Sequence, residues 1–276
     1  MGSKTILITG STDGIGLATA RSLISQGHTV LVHGRNPDKI ASVEQSLRAI
    51  PGAEEVESFR ADLSDLGEVR GLADAIEARE GSLDVLINNA GVFKVPKART
   101  RSGLDMRFVV NTIAPYLLTK RLLKLFPSDG RVVNLSSAAQ APVSLNALSG
   151  KVTLGDSAVY AQSKLALTAW SRAMALDGDE SSPMIVSVNP GSLLATNMVK
   201  QAYGMDGADI GIGADILMRA ALSDEFRSAN GQYYDNDTGR FTSPHPDAVN
   251  EQRANEIVQL IEQLLSEQGH AVTASA

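Results

Sequence analysis

The chain has 276 residues, of which 43% are hydrophobic and 20% charged, with a net charge of −6 and no cysteine. This is the composition of a soluble globular protein long enough for one large α/β domain. The acidic balance argues against a nucleic-acid surface, and the lack of cysteine excludes disulfides and thiolate metal sites.

His28, His33, His245 and His270 show no metal-ligand spacing, so no metal is expected. No apolar run approaches the roughly 20 residues of a membrane helix. The stretch Ile6-Leu7-Ile8 runs straight into a glycine turn, unlike a signal peptide. A cytoplasmic protein without a membrane span is the expectation.

Residues 4–9 read as a buried strand. Thr9-Gly10-Ser11-Thr12-Asp13-Gly14-Ile15-Gly16 follows, and then a helical segment ending near Gly27. Strand, glycine turn and helix form the layout of a dinucleotide-binding unit. Glycines let backbone approach a pyrophosphate, and the helix N-terminus favours its negative charge. The spacing G-x-x-x-G-x-G differs from the usual G-x-G-x-x-G, and a glycine turn by itself also serves a plain tight turn.

A second strand over 29–32 leads to His33-Gly34-Arg35-Asn36-Pro37. The end of this strand faces the adenosine ribose in a dinucleotide fold; an acid there takes the 2′-hydroxyl, whereas an arginine holds a 2′-phosphate. Arg35 is present, with no acid before Asp38. NADP(H) is therefore expected over NAD(H), which stays the alternate cofactor. The competing reading makes Arg35 a solvated loop residue.

A helix over 39–49 and a third strand over 56–59 lead to Asp62-Leu63. Asp62 suits either the adenine amino group or the cap of the next helix, 66–79. The fourth strand, 83–87, ends in Asn88-Asn89-Ala90-Gly91, which suits either the ligand crevice of a parallel sheet or a β-turn. Lys94, Lys97, Arg99 and Arg101 follow and read as a solvated patch. Residues 104–126 have helical spacing with Asn111 and Pro115 inside. Pro115 has no N–H for the carbonyl of Asn111, which leaves that carbonyl open to water or marks a plain kink.

A fifth strand, 131–135, closes with Ser136-Ser137, and a loop rich in Ser, Gly, Asn and Pro precedes Tyr160-Ala-Gln-Ser-Lys164. That pentapeptide lies on a helix over 157–176, so the phenol and the ammonium share a face. At about 4 Å and an effective dielectric near 20 the cation favours the phenolate by on the order of 4 kcal/mol, roughly three pKa units as an upper bound. Such a tyrosine exchanges protons near neutrality, whereas the same spacing also occurs on solvated helix faces.

A sixth strand, 184–188, ends in Asn189-Pro190-Gly191, with Thr196 beyond. Residues 193–213 carry four glycines and read as a mobile cover or an ordinary loop. A helix over 213–222 and a last strand over 231–235 follow. Val249, Ile257, Val258, Ile261, Leu264 and Leu265 place one apolar stripe on a helix over 246–268. The alternation predicts an α/β, doubly wound Rossmann fold in a single domain, residues 1–268, with a mostly parallel seven-stranded sheet, helices on both faces and a disordered tail over 269–276.

The motifs in this order resemble the short-chain dehydrogenase/reductase family from Thr5 to about Asp235, and the glycine spacing is that family's own. The spacing from Ser137 to Tyr160 is similar to that of its retinol-dehydrogenase-like and protochlorophyllide-reductase-like branch. The resemblance implies a tetrad of Asn111, Ser137, Tyr160 and Lys164. Tyr160 would be the proton donor or acceptor, Lys164 would lower its pKa and bond the nicotinamide ribose, Ser137 rather than Ser136 would hold the substrate carbonyl, and Asn111 would hold a relay water. Gly10, Ser11, Thr12, Asp13, Gly14, Ile15 and Gly16 would surround the diphosphate. Arg35 would meet the 2′-phosphate, Asp62 and Leu63 the adenine, Asn89, Ala90 and Gly91 the ribose side, and Asn189, Pro190, Gly191 and Thr196 the nicotinamide end. The implied activity is NADP(H)-dependent hydride transfer to or from a carbonyl/alcohol carbon of a small, largely apolar substrate, in a homodimer or homotetramer. A non-catalytic dinucleotide-binding regulator and a nicotinamide-dependent epimerase are the rival readings.

Overall fold

The computed structural model describes residues 2–272 apart from 52, 54, 55, 80 and 205. Its strands are β1 Thr5–Ile8, β2 Thr29–Gly34, β3 Val56–Arg60, β4 Val85–Asn88, β5 Arg131–Leu135, β6 Met184–Asn189, β7 Tyr233–Asp235 and β8 Arg240–Thr242. They form one sheet in the order β3-β2-β1-β4-β5-β6-β7-β8. Pairing is parallel up to β7, and β8 runs antiparallel to β7.

The helices are α1 Gly14–Ser25, α2 Pro37–Arg48, α3 Leu66–Glu77, α4 Met106–Phe108, α5 Ala114–Leu122, α6 Leu145–Leu148, α7 Asp156–Asp177, α8 Asn197–Tyr203, α9 Ile210–Leu222, α10 Pro246–Val249 and α11 Glu251–Glu267. The strands are apolar on both faces because both are covered. Leu7, Leu31, Leu86, Val132 and Ile185 pack with α3, α5, α7 and α11. Their neighbours Ile6, Ile8, Val30, Val32, Ile87, Val133 and Val186 pack with α1, α2 and α9. Each fully buried Leu, Ile or Val contributes about 1.5–3 kcal/mol.

The strand order reverses at β1 and β4, so the crevice of an open α/β sheet falls beyond their carboxyl ends. The glycine turn after β1 and Asn89-Ala90-Gly91 after β4 flank it.

Three expectations need correction. The sheet has eight strands, not seven: β8 is three residues long, too short to show an alternating pattern, and it follows a tight turn in which Gly239 has φ +67°. The helix expected over 104–126 is interrupted. After α4 comes a π-turn, Val109–Ile113, where the Ala114 N–H reaches back five residues to the Val109 carbonyl. Pro115 explains the wider turn, since it offers the Asn111 carbonyl no N–H. The C-terminal helix breaks at Asn250, whose side chain accepts from the Arg253 N–H at 3.0 Å and starts α11 anew. Val249 therefore loses the phase of the stripe and is 43% exposed, while Ile257, Ile261, Leu264 and Leu265 are buried.

After α11 the His270 N–H bonds the Leu265 carbonyl, and Val272 packs on the α3–α5 side of the core. Residues 273–276 of the expected tail lie outside the described residues. Among the described residues no helix is long and apolar enough to cross a membrane, and no group of three or more acidic or histidine side chains is arranged to hold a metal.

Candidate active site

At Gly10 and Gly16 the glycine turn leaves no room for a side chain. Gly10 and Gly14 have φ of +65° and +56°, where glycine is favoured. A Cβ on Gly16 would lie 2.5 Å from Asn89 Nδ2 and 2.6 Å from the Gly10 carbonyl oxygen, and one on Gly10 would lie 3.0 Å from Ala90 Cα. The β1 and β4 loops are thus in backbone contact at the N-terminus of α1. This cradle fits an elongated ligand carrying a diphosphate.

Asp13 caps α1, accepting from the Gly14 N–H at 2.8 Å. Its second oxygen meets Lys39 Nζ at 3.5 Å and Asn197 Nδ2 at 2.5 Å. Thr12 lies over Gly34, where a Cβ would come within 2.6 Å of its methyl group. Ile15 packs beside the α1 side of the core. Ser11 stands under the turn: it is fully buried, its N–H bonds the His33 carbonyl and its hydroxyl accepts from the His33 N–H at 2.9 Å.

His33 is a residue that sequence reasoning missed. Its Nδ1 accepts from the Gly10 N–H at 3.0 Å, and Nε2 lies 3.1 Å from the Ala61 carbonyl, which requires the tautomer protonated on Nε2. The ring therefore ties the glycine turn to the ends of β2 and β3. Burial pushes its pKa down to about 4. The available signal was a polar ring on the same face as Leu31 in an otherwise apolar strand.

Arg35 is exposed just past β2, beside Asn36, which caps α2 by accepting from the Lys39 N–H. Asp62 makes a local turn, its Oδ1 accepting from the Ser64 N–H at 2.9 Å, and Asp65 takes the role of capping α3. Leu63 is buried in the core, so an adenine contact from this residue would use its main chain. Asn89 Nδ2 bonds the carbonyls of Thr9 and Gly10 at 2.8 and 3.0 Å, so a ribose contact from this residue would use its other polar atoms.

The chemistry-bearing group forms where β4, β5, the π-turn and α7 meet. Lys164 is buried, donates to the Leu135 carbonyl at 2.7 Å, and lies 5.8 Å from the centroid of the Tyr160 ring. Burial lowers its pKa to about 8. A Cβ on Gly91 would be 3.5 Å from both Lys164 Nζ and Asn111 Oδ1. The Asn111 side chain accepts from the Val92 N–H and donates to the Val92 carbonyl and to Ser163 Oγ. Ser163 in turn donates to the Tyr160 carbonyl at 2.7 Å. Phe93 packs on the Tyr160 ring, with centroids 4.9 Å apart.

The two serines after β5 separate cleanly. Ser136 is buried and bonds Thr168 Oγ1 at 2.6 Å. Ser137 is partly exposed, its hydroxyl accepts from the Ala139 N–H, and its carbonyl accepts from Tyr233 Oη at 3.0 Å and from Gln140 Nε2 at 3.0 Å.

The segment after β6 approaches this group through Met198. Thr196 caps α8 by accepting from the Val199 N–H. The Met198 methyl comes within 3.9 Å of a Cβ placed on Gly91. Pro190 and Gly191 lie at the carboxyl end of β6, with Gly191 at φ +120°.

In the basic patch after β4, Arg99 needs correction. Arg99 donates to the carbonyls of Gly103 and Gly150 and to Thr153 Oγ1, so it staples two loops together.

A family model described as short chain dehydrogenase matches residues 4–206. The chain is similar to human polyprenol dehydrogenase, 31% identical over 258 residues, covering 85% of this chain and 77% of that protein. Mouse retinol dehydrogenase 12 is 30% identical over 243 residues, covering 84% and 77%. Among solved structures, an uncharacterized protein from Mycobacterium paratuberculosis is similar with a TM-score of 0.77 at 28% identity, covering 98% of this chain and 95% of that one. Landomycin C-6 ketoreductase LanV with bound NADP and rabelomycin has a TM-score of 0.67 at 30% identity, covering 86% and 95%.

Proposed function

The chain belongs to the short-chain dehydrogenase/reductase family and is an oxidoreductase, and from that premise we propose that it moves a hydride between NADP(H) and a carbonyl/alcohol carbon of a small, largely apolar substrate, with Tyr160 as general acid/base. The observation that carries this reading is the buried Lys164 ammonium beneath the Tyr160 ring, next to Gly91 and Asn111 at the mouth of the crevice.

A nicotinamide bound there supplies the hydride. The chain's own residues do the rest. Tyr160 gives its proton to the substrate oxygen in reduction and takes it back in oxidation. Lys164 favours the phenolate by its charge. The partly exposed Ser137 hydroxyl holds the substrate oxygen, and the Asn111 carbonyl, which Pro115 cannot engage, holds a water in the proton path. Phe93 against the Tyr160 ring and Met198 near Gly91 bring apolar groups beside the site. The relatives named for retinol and polyprenol, both apolar alcohols, are in keeping with those groups.

Two features support NADP(H). Arg35 is exposed past the end of β2, without an acid before Asp38, and the similar ketoreductase LanV has NADP bound. A comparison of kcat/KM for the two cofactors tests it, and equal or better use of NADH overturns it.

The test of the mechanism is Tyr160→Phe, assayed by NADPH absorbance with a panel of ketones, aldehydes and alcohols. Loss of the proton-transfer group lowers turnover by about 10²–10⁴-fold, while NADPH binding stays near wild type. A variant that turns over normally rejects the mechanism.

A further inference from the structure

None of the acid/base chemistry uses the eighth strand. The turn between β7 and β8, residues 235–239, folds over residues 189–192 at the carboxyl end of β6, and hydrogen bonds join the two along their length. Asn189 Nδ2 donates to Asp235 Oδ1 at 2.8 Å and to Asp237 Oδ2 at 2.9 Å. The Ser192 N–H donates to Asp237 Oδ1 at 2.8 Å, and its hydroxyl donates to Asp237 Oδ2 at 2.6 Å. Asn236 donates through its side chain to the Pro190 carbonyl at 3.0 Å and through its N–H to the Asn189 carbonyl at 3.1 Å.

The two carboxylates of the turn behave differently. Asp235 also serves its own turn, accepting from the Asp237 N–H and the Thr238 hydroxyl. Asp237 bonds across to Asn189 and Ser192 with both oxygens. The segment it holds is conformationally costly, because Gly191 at φ +120° is followed two residues later by Leu193 at φ +53°. A side chain other than glycine in that region persists only where the surroundings impose it. With Asn189 Nδ2 held by the carboxylates, Asn189 Oδ1 is turned to the Gly191 N–H at 3.4 Å.

We propose that Asp237 is a positioning residue for the nicotinamide end of the cofactor site. Acting through Ser192 and Asn189, it holds residues 189–192 in the shape that receives the nicotinamide, and it has no part in holding the adenosine half. The proposal rests on reading the crevice as a nicotinamide dinucleotide site. The separation of ends follows from the sheet: Arg35 leaves β2, and β1, β4 and β5 stand between β2 and β6.

The experiment titrates two probes, NADPH and adenosine 2′,5′-bisphosphate, which carries the adenosine half without nicotinamide. Asp237→Ala weakens NADPH by about tenfold or more, as displaced contacts in a preorganised site do, and leaves the bisphosphate within about twofold. Ser192→Gly, which keeps the N–H and loses the hydroxyl, shifts NADPH alone, by about threefold. Unchanged NADPH affinity overturns the proposal, and so does a parallel loss of both probes, which marks general damage. If Asp237→Ala does not fold, Ser192→Gly and Asp237→Asn decide by the same criteria. A wild-type chain that binds no NADPH overturns the reading of the crevice itself, and that result is visible before any variant is made.

Discussion

Lys164 Nζ donates to the main-chain carbonyl of Leu135 at 2.7 Å, which fixes the ammonium below the Tyr160 ring. Burial brings its pKa down to about 8 from an ordinary value near 10.5. In the free enzyme the cation is complete only below that value. We expect kcat/KM to fall as pH rises through about 8, since this parameter reports the free enzyme's groups. Lys164→Met removes the limb and most of the activity. The sign for stability is separate. Between about 8 and 10.5 the unfolded chain holds a proton that the folded one has lost, so this group's contribution to stability rises with pH there. Below 8 the folded state bears the full cost, roughly 3 kcal/mol. Lys164→Met relieves it but takes the donor from the buried Leu135 carbonyl, at a cost of about 1–3 kcal/mol. Urea unfolding at pH 7 should show the variant between unchanged and roughly 2 kcal/mol more stable, and a less stable variant contradicts the burial argument.

His33 makes the opposite window testable. Its folded pKa of about 4 lies below the ordinary 6.5, so the unfolded chain binds the extra proton between those values. The stability it contributes is present above about 6.5 and is lost as pH falls toward 4, on the order of 3 kcal/mol in total. A protonated Nδ1 also repels the Gly10 N–H it now accepts from. Wild-type stability and NADPH affinity should therefore drop between pH 7 and pH 4.5 by more than they drop in His33→Ala. Parallel curves for the two proteins would remove His33 from the account.

The parts of this site that could be read from sequence are those encoded at short range. Tyr160 and Lys164 are one helical turn apart, the glycine turn follows the first strand directly, and Pro115 stands four residues after Asn111. The missed parts depend on partners far apart in the chain. Asp237 meets Ser192 across 45 residues, and Asp13 meets Asn197 across 184. No periodicity reports such pairs. Val249 went astray for another reason: one side-chain cap at Asn250 resets the helical phase, and an apolar stripe cannot register that.

Asp13 places a carboxylate where a helix N-terminus favours an anionic ligand. Asp13→Asn keeps an oxygen for the Gly14 N–H, so the cap survives. The lost ion pair with Lys39 is solvent-exposed on both sides, 59% and 51%, and is worth at most about 1 kcal/mol. With a like charge removed, NADPH should bind about three- to tenfold tighter at low salt, and the gain should shrink as the Debye length falls toward 3 Å at about 1 M salt. Fluorescence titration across ionic strength checks both statements. Weaker binding in the variant would mean that the Asp13 contacts to Lys39 and Asn197 matter more than the repulsion.

Gly16 and Gly71 both lie in helices, and the same substitution should act on them in opposite directions. Alanine in a helix interior is favoured over glycine by about 1 kcal/mol. At Gly71 a Cβ meets nothing within 4 Å, so Gly71→Ala should stabilise by roughly 0.5–1 kcal/mol and leave NADPH binding unchanged. At Gly16 the Cβ would lie 2.6 Å from the Gly10 carbonyl and 2.5 Å from Asn89 Nδ2, which already bonds the carbonyls of Thr9 and Gly10. The clash can be relieved only by parting the β1 and β4 loops, at an overpacking cost of about 1–3 kcal/mol plus about 1 kcal/mol for each hydrogen bond broken. Repulsion therefore exceeds propensity. Gly16→Ala should be less stable by about 2–3 kcal/mol and bind NADPH at least about tenfold more weakly. Thermal unfolding and NADPH titration of the two variants side by side decide the point. Wild-type affinity in Gly16→Ala would show that the turn can widen freely and that the close contact of these loops does not shape the cofactor cradle.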